Sequence, residues 1–121
     1  MKKLGIILIG VLLMSACTSE SSYHKISAQE AKEIMESQDV IIVDVRTQAE
    51  YNEGYIENAI LIPNESISEA PRELPDKNAI ILVYCRSGNR SKQAADKLVA
   101  LGYTNIYDFG GIIDWPYEIV E

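Results

Sequence analysis

The sequence predicts an α/β sandwich with a mostly parallel sheet and right-handed crossover connections. Short apolar runs rich in Ile and Val alternate with stretches of helical periodicity, an order typical of parallel strands joined by crossover helices. At 121 residues, 47% hydrophobic and 24% charged, the chain can bury one core and is ordinary for a globular protein. We therefore expect one folded domain.

The first half of the chain alternates strand and helix signals. Ser27 with Glu30, and Thr47 with Glu50, have the spacing of capping boxes, in which two residues satisfy each other's free N–H groups at a helix start. The predicted elements are, in order, a short strand at residues 23–26, a helix at 28–37, a buried strand at 40–43, a short helix that opens at 47 and ends at Gly54, and a short strand at 59–62.

The second half contains a proline-rich connection and then the clearest strand and helix signals. Three prolines between positions 63 and 75 predict that residues 64–77 form a loop with one poor helix. The elements predicted after it are a strand buried on both faces at 79–84, a helix at 91–101 that stops near Gly102, a strand at 104–109, and a Gly110-Gly111 turn into 112–117. We expect Phe109 and Trp115 to pack in the core.

The amino terminus follows the pattern of an export signal. Two lysines precede an uninterrupted apolar stretch at residues 4–14, and the small residues Ser15 and Ala16 follow it. This stretch is well short of the roughly 20 residues that span a bilayer. We therefore expect residues 1–16 to be a signal peptide rather than a lasting membrane helix.

The residues that end this signal resemble the lipobox of bacterial lipoproteins. Small residues stand directly before Cys17, although Met14 occupies the position where such boxes usually carry Leu. The resemblance implies a lipid on Cys17, a short tether at 17–24 and a folded domain at 25–121. The chain would then be anchored on the extracytoplasmic side of a bacterial membrane, in the cell envelope. The alternative is an ordinary secretory signal with an incidental cysteine.

The net charge and the number of cysteines limit which binding partners and which reactions we expect. The formal net charge is -7, and loss of Lys2 and Lys3 with the signal peptide makes it about -9. An acidic body argues against a nucleic-acid partner. If Cys17 carries lipid, the chain's other cysteine, Cys85, has no partner within the chain. An unpaired thiol in an oxidising compartment favours a reactive role.

Cys85 is the candidate nucleophile because of the loop that follows it. It ends the apolar run at 79–84 and is followed by Arg86, Ser87, Gly88, Asn89 and Arg90. The carboxyl ends of parallel strands are where α/β sheets bind ligands, and a helix amino terminus favours an anion there. Gly88 lets successive N–H groups turn inward, and the two arginines add positive charge. Together they favour the reactive thiolate, an anionic sulfur species or a bound oxyanion.

His24 is the chain's single histidine, so a histidine cluster that binds a metal is excluded. Its place beside the tether predicts an exposed or edge-strand residue rather than a general base for Cys85. For Asp44, Arg46 and Glu50 we expect ion pairing or helix capping, since charges near strand ends are commonly paired. We expect no metal and no cofactor.

An ordered set of motifs over residues 25–115 resembles the rhodanese (sulfurtransferase) family. The motifs are Asp44-Val45-Arg46, Glu50-Tyr51 with Gly54-Tyr55-Ile56, Ala59 to Pro63, Cys85 to Ser91, and Gly110-Gly111 with Trp115. The resemblance implies a three-layer α/β/α rhodanese-like domain. The sequence departs from the family at Tyr55, where His is frequent, and at Asn58, where Gly is frequent. Both positions lie in the scaffold.

The resemblance also implies a reaction and its site residues. Cys85 would take the outer sulfur of a donor such as thiosulfate, form a persulfide and pass that sulfur to a thiol or cyanide. The loop amides from Arg86 to Arg90 would surround the persulfide, with Ser87, Gly88 and Asn89 between the arginines that help to place the anionic donor. We expect a monomer whose partners are these small molecules and, through Cys17, the membrane.

Three alternatives remain at this point. Cys85 could be an inert buried thiol, although such residues do not need a cationic glycine turn. The domain could be a persulfide carrier that a protein partner loads. Phosphatases and arsenate reductases share the fold that the resemblance implies, but they place five residues between Cys and Arg, whereas four lie between Cys85 and Arg90. The shorter loop favours a single sulfur atom over a tetrahedral oxyanion.

Overall fold

The computed structural model describes residues 21–121, so the predicted signal peptide and the lipid site at Cys17 lie outside the described residues. The described elements, in chain order, are β1 (Tyr23–Lys25), α1 (Ala28–Ser37), β2 (Ile41–Asp44), α2 (Gln48–Glu53), β3 (Ile60–Leu61), a 3-10 helix (Asn64–Ser66), β4 (Ile81–Cys85), α3 (Asn89–Ala100), β5 (Ile106–Gly111) and a second 3-10 helix (Ile112–Asp114). β1 includes Tyr23 and His24, so these two positions belong to the first strand, although the predicted tether at 17–24 also covers them.

The five strands form one parallel sheet in the order β1-β5-β4-β2-β3. This confirms the predicted α/β class. β4 lies at the centre, and all five of its residues are buried, as the predicted two-faced burial requires. The carboxyl end of β4, which carries Cys85, therefore meets the ends of β2 and β5 at one edge of the sheet.

Alternation along the strands divides the core between the two faces. Leu82 and Tyr84 pack on the face that α1 covers, with Phe109 and Trp115. Val83 and Cys85 point to the opposite face, which α3 covers through a buried stripe formed by Ala94, Ala95 and Leu98. The three-layer arrangement and the expected core positions of both aromatic residues are confirmed.

Both predicted capping boxes are present. Ser27 and Glu30 cap α1, and Thr47 and Glu50 cap α2, each pair bonding the other's backbone N–H. Asn58, a predicted departure from the family pattern, has φ of 74°. Asn tolerates this left-handed conformation better than other residues with side chains, so it can stand in for Gly at this turn.

The second half differs from the prediction at several boundaries. α3 begins at Asn89, earlier than predicted, because Gly88 adopts φ of 111° and turns the chain into the helix at once. β5 begins at Ile106, later than predicted, because the Thr104 N–H is bonded to the Lys77 carbonyl in a connecting loop. Gly110 and Gly111 belong to β5 rather than to a separate turn. Among the described helices, none has the length and apolar character needed to cross a bilayer.

Candidate active site

Cys85 lies at the base of a loop that folds over its own sulfur. The side chain is 1% exposed, and the Gly88 N–H lies 3.0 Å from Sγ in hydrogen-bonding geometry. Gly88 reaches this position through its left-handed backbone, which side chains disfavour. A backbone donor aimed at the Cys85 sulfur stabilises negative charge on that atom, as in a thiolate.

The loop rests directly on the end of β5. A Cβ atom added to Gly111 would overlap the Arg86 carbonyl oxygen, so only glycine allows this approach of the two backbones. The Ile113 N–H also donates to that carbonyl at 3.2 Å. The pairing register shifts between β4 and β5 at this point, so that Cys85 lies opposite Gly111. Such irregularities commonly position side chains next to active sites.

Arg90 closes the other side of the loop through an ion pair. Its guanidinium donates to both carboxylate oxygens of Glu50, at 2.8 and 3.0 Å, across 40 positions of sequence. These bonds, with those from Thr47, lower the pKa of Glu50 to about 2 despite partial burial. The hydrogen bonds to Glu50 also raise the pKa of Arg90 above its ordinary value. Glu50 therefore caps α2 and also forms an ion pair with Arg90. Both roles were expected for Glu50.

A second ion pair lies on the face of the sheet that α1 covers. Arg46 donates to Asp44 at 2.7 Å and to the Gly54 carbonyl at 2.7 Å, and both charged side chains are buried. The Tyr84 hydroxyl donates to Asp44 at 2.7 Å and accepts the Ile56 N–H at 3.1 Å. Burial is the main cause that raises the pKa of Tyr84 far above its ordinary value, so it remains a donor. The ion pairing expected of Asp44 and Arg46 is therefore confirmed.

The structure brings the predicted site residues together around Cys85. Arg86, Ser87 and Asn89 are exposed at the mouth of the loop, whereas Arg90 is half-buried against Glu50. Arg86 is thus the loop cation that faces solvent. His24 lies on the edge strand β1, stacked on Tyr107 with ring centroids 4.6 Å apart, and β5 separates it from β4. Within residues 21–121, no group of three metal-binding side chains is close enough to hold an ion.

Sequence reasoning missed one buried polar residue near the loop. Asp108 is 0% exposed, and its carboxylate binds Ser91, Gly110 and Tyr23. The available signal was a single acid within the otherwise apolar end of β5, just before two glycines. Tyr84 lies within the predicted strand, but its hydroxyl contacts depend on residues brought together by the fold.

Comparison with known proteins agrees with this architecture. The sequence profile of the rhodanese-like domain matches residues 27–116. A sulfurtransferase of Allochromatium vinosum is 38% identical over 86 residues, which cover 70% of this chain and 79% of that protein. The thiosulfate sulfurtransferase GlpE of Coxiella burnetii is 37% identical over 94 residues, covering 77% of this chain and 87% of that protein.

This chain is also similar to a relative whose name gives another activity and to proteins of solved structure. A tRNA uridine(34) hydroxylase of Yersinia pestis is 32% identical over 107 residues, which cover 81% of this chain but only 29% of that protein. The crystal structure of a rhodanese-like domain protein from Staphylococcus aureus has a TM-score of 0.67 and 39% identity, covering 78% of this chain and 93% of that one. With its parallel sheet, its Cys85 loop and a profile match over most of its length, the chain belongs to the rhodanese-like domain family.

Proposed function

We propose that the protein is a sulfurtransferase that carries a sulfane sulfur on Cys85. The observation that carries the proposal is the Gly88 N–H directed at the Cys85 sulfur, in a loop whose solvent-facing cation is Arg86. The Gly88 N–H stabilises negative charge on Sγ in the attacking thiolate, and the positive charge of Arg86 favours the persulfide anion that forms at the mouth of the loop. Thiosulfate is the proposed donor, because the outer sulfur is transferable and the sulfonate end is an anion that Arg86 can attract.

The reaction consists of two displacements. The Cys85 thiolate attacks the outer sulfur of thiosulfate, the S–S bond of thiosulfate breaks, and sulfite leaves with the bonding electron pair. An acceptor thiolate or cyanide then attacks the terminal sulfur of the persulfide, which forms the product and returns Cys85 to the thiolate. No redox partner is needed because each step exchanges one bond to sulfur for another.

The engagement of Arg90 weighs against phosphatase or arsenate reductase activity. A tetrahedral oxyanion needs a wider loop and an arginine free to bind its oxygens in pairs. Here four residues separate Cys85 from Arg90, and both carboxylate oxygens of Glu50 already occupy the guanidinium of Arg90. The proposal therefore predicts little activity on an aryl phosphate or arsenate.

The test is intact-protein mass spectrometry of the purified full chain after incubation with thiosulfate. We expect a mass increase of one sulfur atom, which cyanide removes with formation of thiocyanate, over repeated turnovers. Cys85→Ser should abolish the increase and change the melting temperature little, whereas Cys17→Ser should load normally. Absence of the sulfur adduct in the wild-type chain contradicts the proposal. A large loss of stability in Cys85→Ser would favour a structural role for the thiol.

We also propose that the protein acts on the extracytoplasmic side of the membrane through a lipid on Cys17. The basic start, short apolar stretch and small residues before Cys17 support this location. In bacteria fed a labelled fatty acid, the wild-type chain should carry the label and fractionate with membranes. Cys17→Ser should lose both properties, while Cys85→Ser keeps them. An unlabelled wild-type chain would overturn the proposal.

A further inference from the structure

We propose that Asp108 is a positioning residue for the Cys85 loop, which holds the Gly88 peptide through Ser91 and Gly110 so that the Gly88 N–H faces the sulfur. The inference rests on the proposed sulfur transfer and adds a residue that does not touch the reacting atoms. Asp108 lies in β5 on the same face as Cys85, beneath the amino terminus of α3.

The burial of Asp108 needs an explanation because a buried carboxylate is costly. The side chain is 0% exposed, and the ion pairs formed by residues 21–121 do not include it. A polar group buried away from water costs free energy unless hydrogen bonds compensate for the lost hydration. An apolar residue at this position could not form the hydrogen bonds that Asp108 forms. These bonds therefore indicate the role of the buried carboxylate.

Each oxygen of Asp108 binds a different part of the frame around the loop. Oδ1 accepts the Ser91 hydroxyl at 2.8 Å and the Gly110 N–H at 3.0 Å, and Oδ2 accepts the Tyr23 hydroxyl at 2.8 Å. Burial and the Asp108 carboxylate raise the pKa of Tyr23 well above its ordinary value, so its hydroxyl stays protonated and can donate. One carboxylate thus ties β1, α3 and the end of β5 together.

The bond to Gly110 satisfies a donor at the irregular pairing of β4 and β5. Val83 pairs with Asp108 and Cys85 with Gly111, so β5 contains one more residue than β4 in this interval. An extra residue interrupts the ladder and leaves backbone groups in need of partners. The Asp108 carboxylate supplies the partner for the Gly110 N–H, and so stabilises the backbone on which the Cys85 loop rests.

Ser91 and Gly110, the two groups that Asp108 binds on this side, both lie against Gly88. The Ser91 oxygen is 3.1 Å from the Gly88 carbonyl oxygen, so its hydroxyl proton can be shared between that carbonyl and Asp108. A Cβ atom on Gly88 would lie 3.7 Å from the Gly110 Cα. Fixing Ser91 and Gly110 therefore fixes Gly88 from two sides, and with it the N–H that lies 3.0 Å from the Cys85 sulfur.

The test compares rates of persulfide formation from thiosulfate in full-length variants, at a temperature where each is folded by circular dichroism. Ser91→Ala should slow loading by roughly tenfold, the equivalent of one hydrogen bond to a charged group. Tyr23→Phe should also slow it. The matched control is Tyr103→Phe, which removes a buried tyrosine hydroxyl bond of 2.6 Å to the Leu74 carbonyl and should lower stability while leaving the rate unchanged.

Asp108→Asn separates geometry from charge. The amide oxygen can still accept from Ser91 and Gly110, so loading should stay within about threefold of wild type, whereas Asp108→Ala should lose most of it. Normal loading by folded Ser91→Ala, or equally slow loading by Asp108→Asn and Asp108→Ala, would overturn the positioning role. If the wild-type chain itself forms no persulfide, the proposed function fails instead, so the two failures are distinguishable.

Discussion

The ion pair between Glu50 and Arg90 makes the stability of the domain depend on pH in a way that one substitution should remove. Glu50→Gln keeps an acceptor for the α2 cap but loses the charge and one of two oxygens that bind Arg90. A carboxyl pKa lowered from 4.5 to about 2 sets an upper limit of roughly 3 kcal/mol on the pair's stabilisation. Because the two side chains are 25% and 26% exposed, solvent screening reduces the expected loss to about 1–2 kcal/mol.

The direction of the pH effect follows from the lowered pKa. The folded domain binds the Glu50 proton less readily than the unfolded chain, so the stabilisation is fully present above pH 4.5 and disappears as the pH falls toward about 2. In urea denaturation at pH 7, Glu50→Gln should be less stable than wild type. The difference between the two proteins should shrink across the interval from pH 4.5 to 2.

Glu30 provides the matched control for this experiment. It caps α1 with Ser27 by the same reciprocal bonds with which Glu50 and Thr47 cap α2, and the ion pairs of the described residues do not include it. Glu30→Gln therefore changes a capping carboxylate without breaking a bond to arginine. If both variants lose the same free energy of unfolding at pH 7, or if the loss in Glu50→Gln is independent of pH, the assigned role of the pair is wrong.

Two further substitutions test close contacts at the site. Gly111→Ala places a methyl group against the Arg86 carbonyl, so it should lower the free energy of unfolding by roughly 2–4 kcal/mol and slow sulfur loading. The control is Gly102→Ala, whose methyl group meets only the flexible Lys77 side chain but whose φ of 103° disfavours alanine; it should cost about 1–2 kcal/mol and leave loading unchanged. Tyr84→Phe leaves the Ile56 N–H and a buried oxygen of Asp44 short of a partner and should cost about 1–3 kcal/mol; a loss indistinguishable from zero in urea denaturation would contradict the network.

Local sequence patterns were sufficient for most of the scaffold. The two capping boxes predicted the starts of α1 and α2, since a cap depends on residues three positions apart. The apolar run before Cys85 predicted a strand buried on both faces, because that signal lies within the strand itself. The boundary errors lie at Gly88 and at residues 104–111, where a backbone turn and a contact with a distant loop decide where an element begins.

The contacts that shape the site depend on residues far apart in the chain. Capping spacing placed Glu50 at a helix start, but its bond to Arg90 spans 40 positions and requires α2 and α3 to meet at one edge of the sheet. Nothing local to Asp108 indicates that it lies beneath Ser91 and binds Tyr23 from the opposite end of the chain.

The position of Cys85, the proposed nucleophile, at a strand end before a glycine turn, could therefore be inferred from sequence alone. Periodicity, capping and residue type act over a few neighbouring positions, and the Cys85 loop is one continuous segment. Its environment was decided by the strand order β1-β5-β4-β2-β3, which places β5 beside β4 and so brings Asp108 and Gly111 to the loop. Local patterns do not specify which strands become neighbours, because that depends on how all the apolar faces pack together.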